Sequence, residues 1–285
     1  MTSPAVAAAR AAYAEKIRAL AGLRSESLVR ALASVPREDF LGPGPWKLML
    51  STQVGLGYTD TPDADPCRLY DNVLVAIDPE RRLNNGEPAA LLRWLDSLEL
   101  RAGDRFLHVG CGVGYYTAIA AEAVRPGGLT TGVEIDPELA ERARRNTARC
   151  GDIEIHSGDG SKLVTRTYDA IYVNAGATEI ASTWLDSLSP SGRLLLPLTI
   201  SISGMNAGVG WMLFVRKAGE AYTAEFPGPV GVYHCAGART DAGEERLRHL
   251  FSSGRPDGVL RLRRDSHPED ASCALHGDGF CLTRG

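Results

Sequence analysis

Between Arg105 and Tyr116 a short apolar run empties into a turn bearing Gly110, Gly112 and Gly114, which reads straight into a helical stretch. Glycines there remove side chains where a ligand must approach the backbone, and the amides at the following helix start can cradle a polar group. That is the chemistry of a bound cofactor. The spacing is not the G-x-G-x-x-G of a dinucleotide fingerprint, so neighbouring residues must select the ligand. Glu134 closes a second run beginning at Leu129; a carboxylate at such a strand end accepts hydrogen bonds from both hydroxyls of a ribose. The alternative is a solvated loop acid or an extra cap. Asp136 is the better cap, because it precedes Pro137, with Glu138 and Glu141 early in the helix, Arg144, Arg145 and Arg149 later, and Gly151 past its end. A third run, Ile153 to His156, leads into Ser157-Gly-Asp-Gly160, whose Asp159 can meet an adenine amine. A fourth, Tyr168 to Val173, ends in Asn174-Ala-Gly-Ala177. Ligands in open α/β sheets bind at the carboxyl ends of the strands.

Four strand ends carrying glycine or an acid in this order resemble the class I S-adenosylmethionine-dependent methyltransferases. The resemblance implies an α/β fold: a Rossmann-like, seven-stranded sheet flanked by helices, with an N-terminal helical cover and a C-terminal extension. It implies S-adenosyl-L-methionine as cofactor, with S-adenosyl-L-homocysteine as product. The cofactor would be held by Gly110, Cys111, Gly112, Gly114, Tyr115, Glu134, Ile135, Gly158, Asp159, Gly160, Asn174 and Ala175.

Leu28 to Phe40, taken with the Gly110 loop ending in Gly114-Tyr115, is similar to the protein-L-isoaspartate O-methyltransferase family, over roughly residues 25 to 235. Ser189 to Leu198 looks like that family's fifth strand, and Trp211 to Val215 with Val230 to His234 like its closing strands. One departure bears on chemistry. Where the family carries a Thr-Ile-Ser-Gln-Pro type segment that positions the isoaspartyl substrate, this chain reads Asn84-Asn-Gly-Glu-Pro88. The serine falls on Gly86, and Glu87 replaces an amide with a negative charge. An isoaspartyl acceptor is itself a carboxylate, and two like charges at low effective dielectric repel by a few kcal/mol. A neutral acceptor that must lose a proton suits a nearby carboxylate better, unless Glu87 instead caps the Pro88 helix.

The expected activity is therefore methyl transfer to a small aromatic metabolite, an indole, cyclic dipeptide or alkaloid, by in-line displacement. His234, with an unperturbed pKa suited to proton removal, is the first candidate base and Glu87 the second. Tyr13, Trp46, Tyr58, Tyr70, Asn84, Asn85 and Tyr116 are candidate substrate contacts. Carboxyl methylation of aspartyl or isoaspartyl residues in a peptide or protein is the alternative, and a non-catalytic cofactor-binding scaffold the third reading.

With 285 residues, 44% of them hydrophobic, the chain can bury a sizeable core. It divides into a covering region over 1–82, a methyltransferase core over 83–235 and an extension over 236–285. A formal charge of -4 gives no sign of a nucleic-acid surface, although Arg261 to Arg264 is a small basic cluster. No apolar run has membrane length and no leader is evident, which suggests a cytoplasmic protein with a small-molecule substrate, no nucleic-acid or membrane partner, and a possible homodimer. The cysteines at 67, 111, 150, 235, 273 and 281 form no close CxxC pair, so they read as scattered thiols with neither a zinc site nor a disulfide framework. His108 reads as a satisfied core histidine. Helices are expected over 5–23, 29–35 and 241–250, extended chain over 69–77 and 259–263, a long irregular stretch over 41–68, and a hairpin over 274–282.

Overall fold

Arg37 organises much of the first half of the chain. Fully buried, its guanidinium donates to the carbonyls of Leu69 at 2.7 Å, Asp71 at 3.1 Å and Val73 at 2.8 Å. Drawing three carbonyls onto one planar donor fork requires the backbone to turn. This is why the expected extended run over 69–77 begins as a 3-10 turn at Pro66–Leu69 and becomes strand only from Leu74. The structure is a computed structural model and describes residues 3–49, 57–252 and 254–284; part of the expected irregular stretch, 50–56, lies outside the described residues.

The described chain forms two compact units. The first comprises residues up to 104 with 111–131 and 136–155. It opens with α1 (Pro4–Ala21), α2 (Glu26–Ser34) and α3 (Glu38–Leu41). The second of these starts three residues before the expected Val29 because the Ser25 hydroxyl accepts from the Leu28 amide and caps it there. Four short strands follow, β1 (Lys47–Met49), β2 (Thr59–Asp60), β3 (Leu74–Asp78) and β4 (Leu83–Asn84), in an antiparallel sheet of order β2-β1-β3-β4. Helix α4 (Pro88–Ser97) packs against α1, and this unit also holds α5 (Tyr115–Ala123) and α6 (Pro137–Thr147), with α2 against α5. Asp136 is the cap foreseen, its Oδ1 accepting from Glu138 at 2.9 Å and Leu139 at 3.2 Å.

The second unit is built on a ten-stranded sheet. Its strands are β5 (Arg105–Val109), the final residues of β6 (Leu129–Glu134) and of β7 (Ile153–Ser157), then β8 (Tyr168–Val173), β9 (Leu188–Ser201), β10 (Ala207–Ala218) and β11 (Ala221–Tyr233). The extension beyond 235 adds β12 (Leu260–Arg263), β13 (Cys273–Gly277) and β14 (Phe280–Thr283). The order is β13-β14-β12-β11-β10-β9-β8-β5-β6-β7. Strand β8 runs parallel to β5 and β9, while β10 is antiparallel to both β9 and β11, so the sheet is mixed. The extension thus widens the seven-stranded sheet, through Tyr222↔Leu262 and its neighbours. Two helices belong here, α7 (Ser182–Asp186) and α8 (Asp241–Phe251), the latter against β9 and β13. Trp184, Leu194, Leu213, Leu247 and Leu282 share one buried core.

His108 is the core histidine expected: it stacks on Tyr172 with ring centroids 5.4 Å apart, and burial pushes its pKa down to about 3. The basic cluster is partly neutralised, Arg263 pairing with Asp265 at 2.5 Å and Arg264 with Asp186 at 2.7 Å. Two cysteines are not scattered: Cys273 and Cys281 meet His267 and His276, all four ligand atoms lying within 4.8 Å of one another. Among the described residues, no helix is long and apolar enough to cross a membrane.

Candidate active site

In the second unit, four neighbouring strands end level with one another because their backbones are tied where they stop. Gly110 N–H donates to Val133 C=O at 2.8 Å, Asn174 N–H to Val109 C=O at 2.8 Å, and Gly158 N–H to Glu134 C=O at 2.9 Å. This lines up the ends of β7, β6, β5 and β8, with Asp159, Glu134, Gly110 and Asn174 in that order across the edge. Glu134 is only 7% exposed, a carboxylate held in an environment where a hydrogen bond from a ligand hydroxyl counts for more than in water. Next to it, Ile135 is 50% exposed, an apolar surface beside a polar acceptor and suited to the face of a nucleoside base. Asp159 accepts from the Ser161 hydroxyl at 2.7 Å and amide at 3.0 Å. Burial pushes its carboxyl up, but Ser161 and Lys162 outweigh that, so it stays ionised as an acceptor at neutral pH. The Asn174 side chain accepts from the Tyr172 hydroxyl at 3.2 Å, and Ala175 lies half-buried beside it.

The loop's remaining glycines, Gly112 and Gly114, belong to the first unit, as does the buried Cys111 that precedes them. Gly114, at φ +90°, is the N-cap residue of α5, and a Cβ there would stand 2.9 Å from Thr147 Cγ2 on α6. Gly112 has open space where its side chain would be. Within the second unit, a nearly buried carboxylate beside an exposed apolar residue fits the ribose and base of an adenosine-bearing cofactor; within the first, an open glycine turn at a helix start fits a polar group.

The altered segment Asn84 to Pro88 also belongs to the first unit. Asn84 Oδ1 accepts from the Tyr58 hydroxyl at 2.6 Å. Asn85 is 7% exposed, and its Nδ2 has no hydrogen-bond partner among the described residues. Gly86 offers its carbonyl to the Tyr116 hydroxyl at 3.2 Å. Glu87 stands at the N-cap position of α4, yet its carboxylate caps nothing; it accepts from Asn72 Nδ2 at 2.6 Å. The capping is done by Asn72, whose Oδ1 accepts from the Ala89 amide at 2.8 Å. Sequence spacing could not reveal Asn72, because the contact spans loops with no local pattern.

The other aromatic candidates lie inside the first unit. Tyr13 is 1% exposed and packs on Tyr70 at 5.6 Å, while the Tyr70 hydroxyl donates to Glu38. Trp46 is buried with Leu69 and Val75 and donates to Gly42 C=O at 3.0 Å. His234 is in the second unit, bridged to Gly176 just beyond Asn174. Burial, then Arg239, pushes its pKa down, so the imidazole is neutral at pH 7, and its Nε2 is buried without a partner among the described residues. Arg239 fixes this corner by donating to Gly176 C=O at 2.8 Å and to Glu244 at 2.7 Å.

The family described as protein-L-isoaspartate(D-aspartate) O-methyltransferase (PCMT) matches residues 68–208. A protein of Archaeoglobus fulgidus named Protein-L-isoaspartate O-methyltransferase 2 is 33% identical over 214 residues, covering 73% of this chain and 83% of its own length. Another, a Protein-L-isoaspartate O-methyltransferase of Methanopyrus kandleri, is 31% identical over 195 residues, 67% of this chain and 76% of that protein. A solved protein-L-isoaspartate O-methyltransferase shares the fold at a TM-score of 0.65 with 19% identity, over 95% of this chain and 87% of that one. A putative Plasmodium falciparum enzyme of this kind, in complex with S-adenosyl-L-homocysteine, gives 0.58 with 16% identity, over 79% and 97%. These relatives correct the expectation of a small aromatic metabolite as acceptor and of a small-molecule partner, since each is named for an isoaspartyl protein substrate. The physical flaw lay in treating Glu87 as a bare charge facing the acceptor, when the fold holds it against the Asn72 amide. The chain is an S-adenosylmethionine-dependent methyltransferase and belongs to the protein-L-isoaspartate O-methyltransferase family.

Proposed function

We propose that this enzyme methylates the side-chain carboxylate of isoaspartyl residues in proteins or peptides. The observation that carries the reading is the 33% identity to the Archaeoglobus fulgidus protein across 83% of that protein's length. The unpartnered, buried Asn85 Nδ2 supports it. A buried donor without a partner costs about 1–3 kcal/mol, and a carboxylate acceptor would satisfy it with a charge-assisted bond.

S-adenosylmethionine, when bound, supplies a methyl group on an electrophilic sulfonium. On this reading Glu134 receives the ribose hydroxyls, and Asp159 and Ile135 the base. Asn85 orients the acceptor, with Asn84 and Tyr58 holding the segment around it. A carboxylate of ordinary pKa, about 4, reaches the site already ionised. No proton has to be removed from it, so the reaction needs neither His234 nor Glu87 as a base. Alignment and exclusion of water then supply the acceleration.

The test is transfer of labelled methyl from S-adenosylmethionine to a peptide carrying isoaspartate and to the same peptide carrying aspartate. Base-labile label on the isoaspartyl peptide is expected. If saturating isoaspartyl peptide takes up no base-labile label while cofactor binding is intact, the assignment fails.

A further inference from the structure

The extension carries a second centre, remote in sequence from every residue assigned above. His267, Cys273, His276 and Cys281 bring two imidazole nitrogens and two thiol sulfurs within 4.8 Å of one another. From this geometry we infer a structural zinc site of two cysteines and two histidines that clamps the C-terminal hairpin β13–β14 to the loop before it.

The way the fold gathers these residues supports a built site. His276 and Cys281 are directly opposed across the hairpin, so their side chains share a face. Strict alternation would send Cys273 to the other face, along with the buried Leu275; a register shift between Cys273 and Leu275 breaks the alternation and lets Cys273 join His276. The preceding loop delivers His267, whose Nε2 stands 3.7 Å from Cys273 Sγ and whose ring meets His276 edge to face with centroids 4.9 Å apart. Bond lengths of about 2.3 Å to sulfur and 2.0–2.1 Å to nitrogen put tetrahedral S and N ligands about 3.6 Å apart, so the His267–Cys273 pair is already at ligand spacing.

The supporting contacts are those a metal site needs. His267 Nδ1 lies 2.9 Å from Asp265 C=O; donating there leaves the Nε2 lone pair for a metal. The Asp270 amide donates to Cys273 Sγ at 3.4 Å, a bond that favours thiolate. His276 Nδ1 is buried with no hydrogen-bond partner among the described residues, and a ligand bond would satisfy it. With all four positions filled by protein the site is closed, which marks a structural and not a catalytic centre, and two sulfurs with two nitrogens select zinc. Binding releases the two thiol protons and leaves a centre of no net charge, Zn2+ with two thiolates. The CxxC signature is missing because a bulged hairpin and a loop, not two knuckles, present the ligands.

The experiment is elemental analysis of the full-length protein purified without chelator, beside Cys273→Ser and His276→Gln. About one zinc per chain is expected for the parent, falling about tenfold or more in each variant. In case the variants misfold, parent protein stripped by a chelator should regain Co2+ with the absorption of a tetrahedral site containing thiolate. Absence of zinc together with an intact mass short of two hydrogens, showing a Cys273–Cys281 disulfide, would overturn the proposal, as would full zinc occupancy in both variants. None of these readouts depends on the methyl acceptor.

Discussion

Asn72 holds Glu87 and the start of α4 with one side chain, donating from Nδ2 to the carboxylate at 2.6 Å and accepting at Oδ1 from the Ala89 amide at 2.8 Å. The cap and the charged residue of the altered segment are therefore one device. Asn72→Ala is expected to destabilise the protein by about 1 kcal/mol, the typical cost of a lost cap. Losing the bond to Glu87 should also raise KM for isoaspartyl peptide more than it lowers kcat, because a carboxylate less well compensated repels the acceptor more strongly. Denaturant melts and steady-state kinetics read the two effects separately, and a change in stability with KM untouched would limit Asn72 to capping.

Asn85 supplies the buried donor without a partner. Asn85→Asp removes that donor and adds a charge where the acceptor carboxylate is proposed to sit. KM for the isoaspartyl peptide should rise at least about tenfold, since a charge-assisted bond contributes about 1.5–3 kcal/mol. Titration calorimetry with S-adenosylhomocysteine should show unchanged affinity; a matching loss of cofactor affinity would move Asn85 out of the acceptor site.

Glu134, 7% exposed at the end of β6, is expected to accept from both ribose hydroxyls. Glu134→Gln keeps the shape and removes the charge, so S-adenosylmethionine should bind about 10- to 100-fold more weakly, the equivalent of about 1.5–3 kcal/mol. Calorimetry checks this, and wild-type affinity would refute the role.

The strand ends at Gly110 and Glu134 and the Asp136 cap were legible because their signals are local, each announcing itself within a few residues. Asn72 was invisible because its partners, Glu87 and Ala89, are 15 and 17 residues away across loops. The extension's His267, Cys273, His276 and Cys281 were missed for a related reason: a bulge decides which face Cys273 takes, and no spacing encodes it. The isolated charge of Glu87 misled the substrate reading because a sequence shows a carboxylate but not the amide bonded to it.

Glu244 anchors the corner beside Gly176. Burial pushes its carboxyl up, but bonds from the Ser201 hydroxyl at 2.6 Å and amide at 3.0 Å, with Arg248 and Arg239, hold it at about 2, below the ordinary 4.5. A carboxyl held low in the folded state contributes stability above its unfolded value, and that contribution is lost as pH falls from about 4.5 toward 2. Glu244→Gln should be less stable than the parent at pH 7, with the difference shrinking through that window. Melting curves across pH 2–7 check it; a difference independent of pH would mean the charge is not what matters.

His234 gives the sharpest distinction between the acceptor chemistries. Burial and Arg239 push its pKa down, so it is neutral throughout the physiological range and could in principle accept a proton from an indole or phenol. An isoaspartyl carboxylate has none to give above about pH 5. With that acceptor, log kcat should therefore stay flat from pH 8 down to about 6, and His234→Gln, which keeps a hydrogen-bonding side chain, should lower kcat modestly without altering the profile. A unit-slope fall in kcat below neutrality that disappears in His234→Gln would make His234 a true base. Because the acceptor's own titration lies lower, such a limb would assign the proton transfer to the imidazole and require an acceptor that arrives protonated, removing the isoaspartyl reading with it.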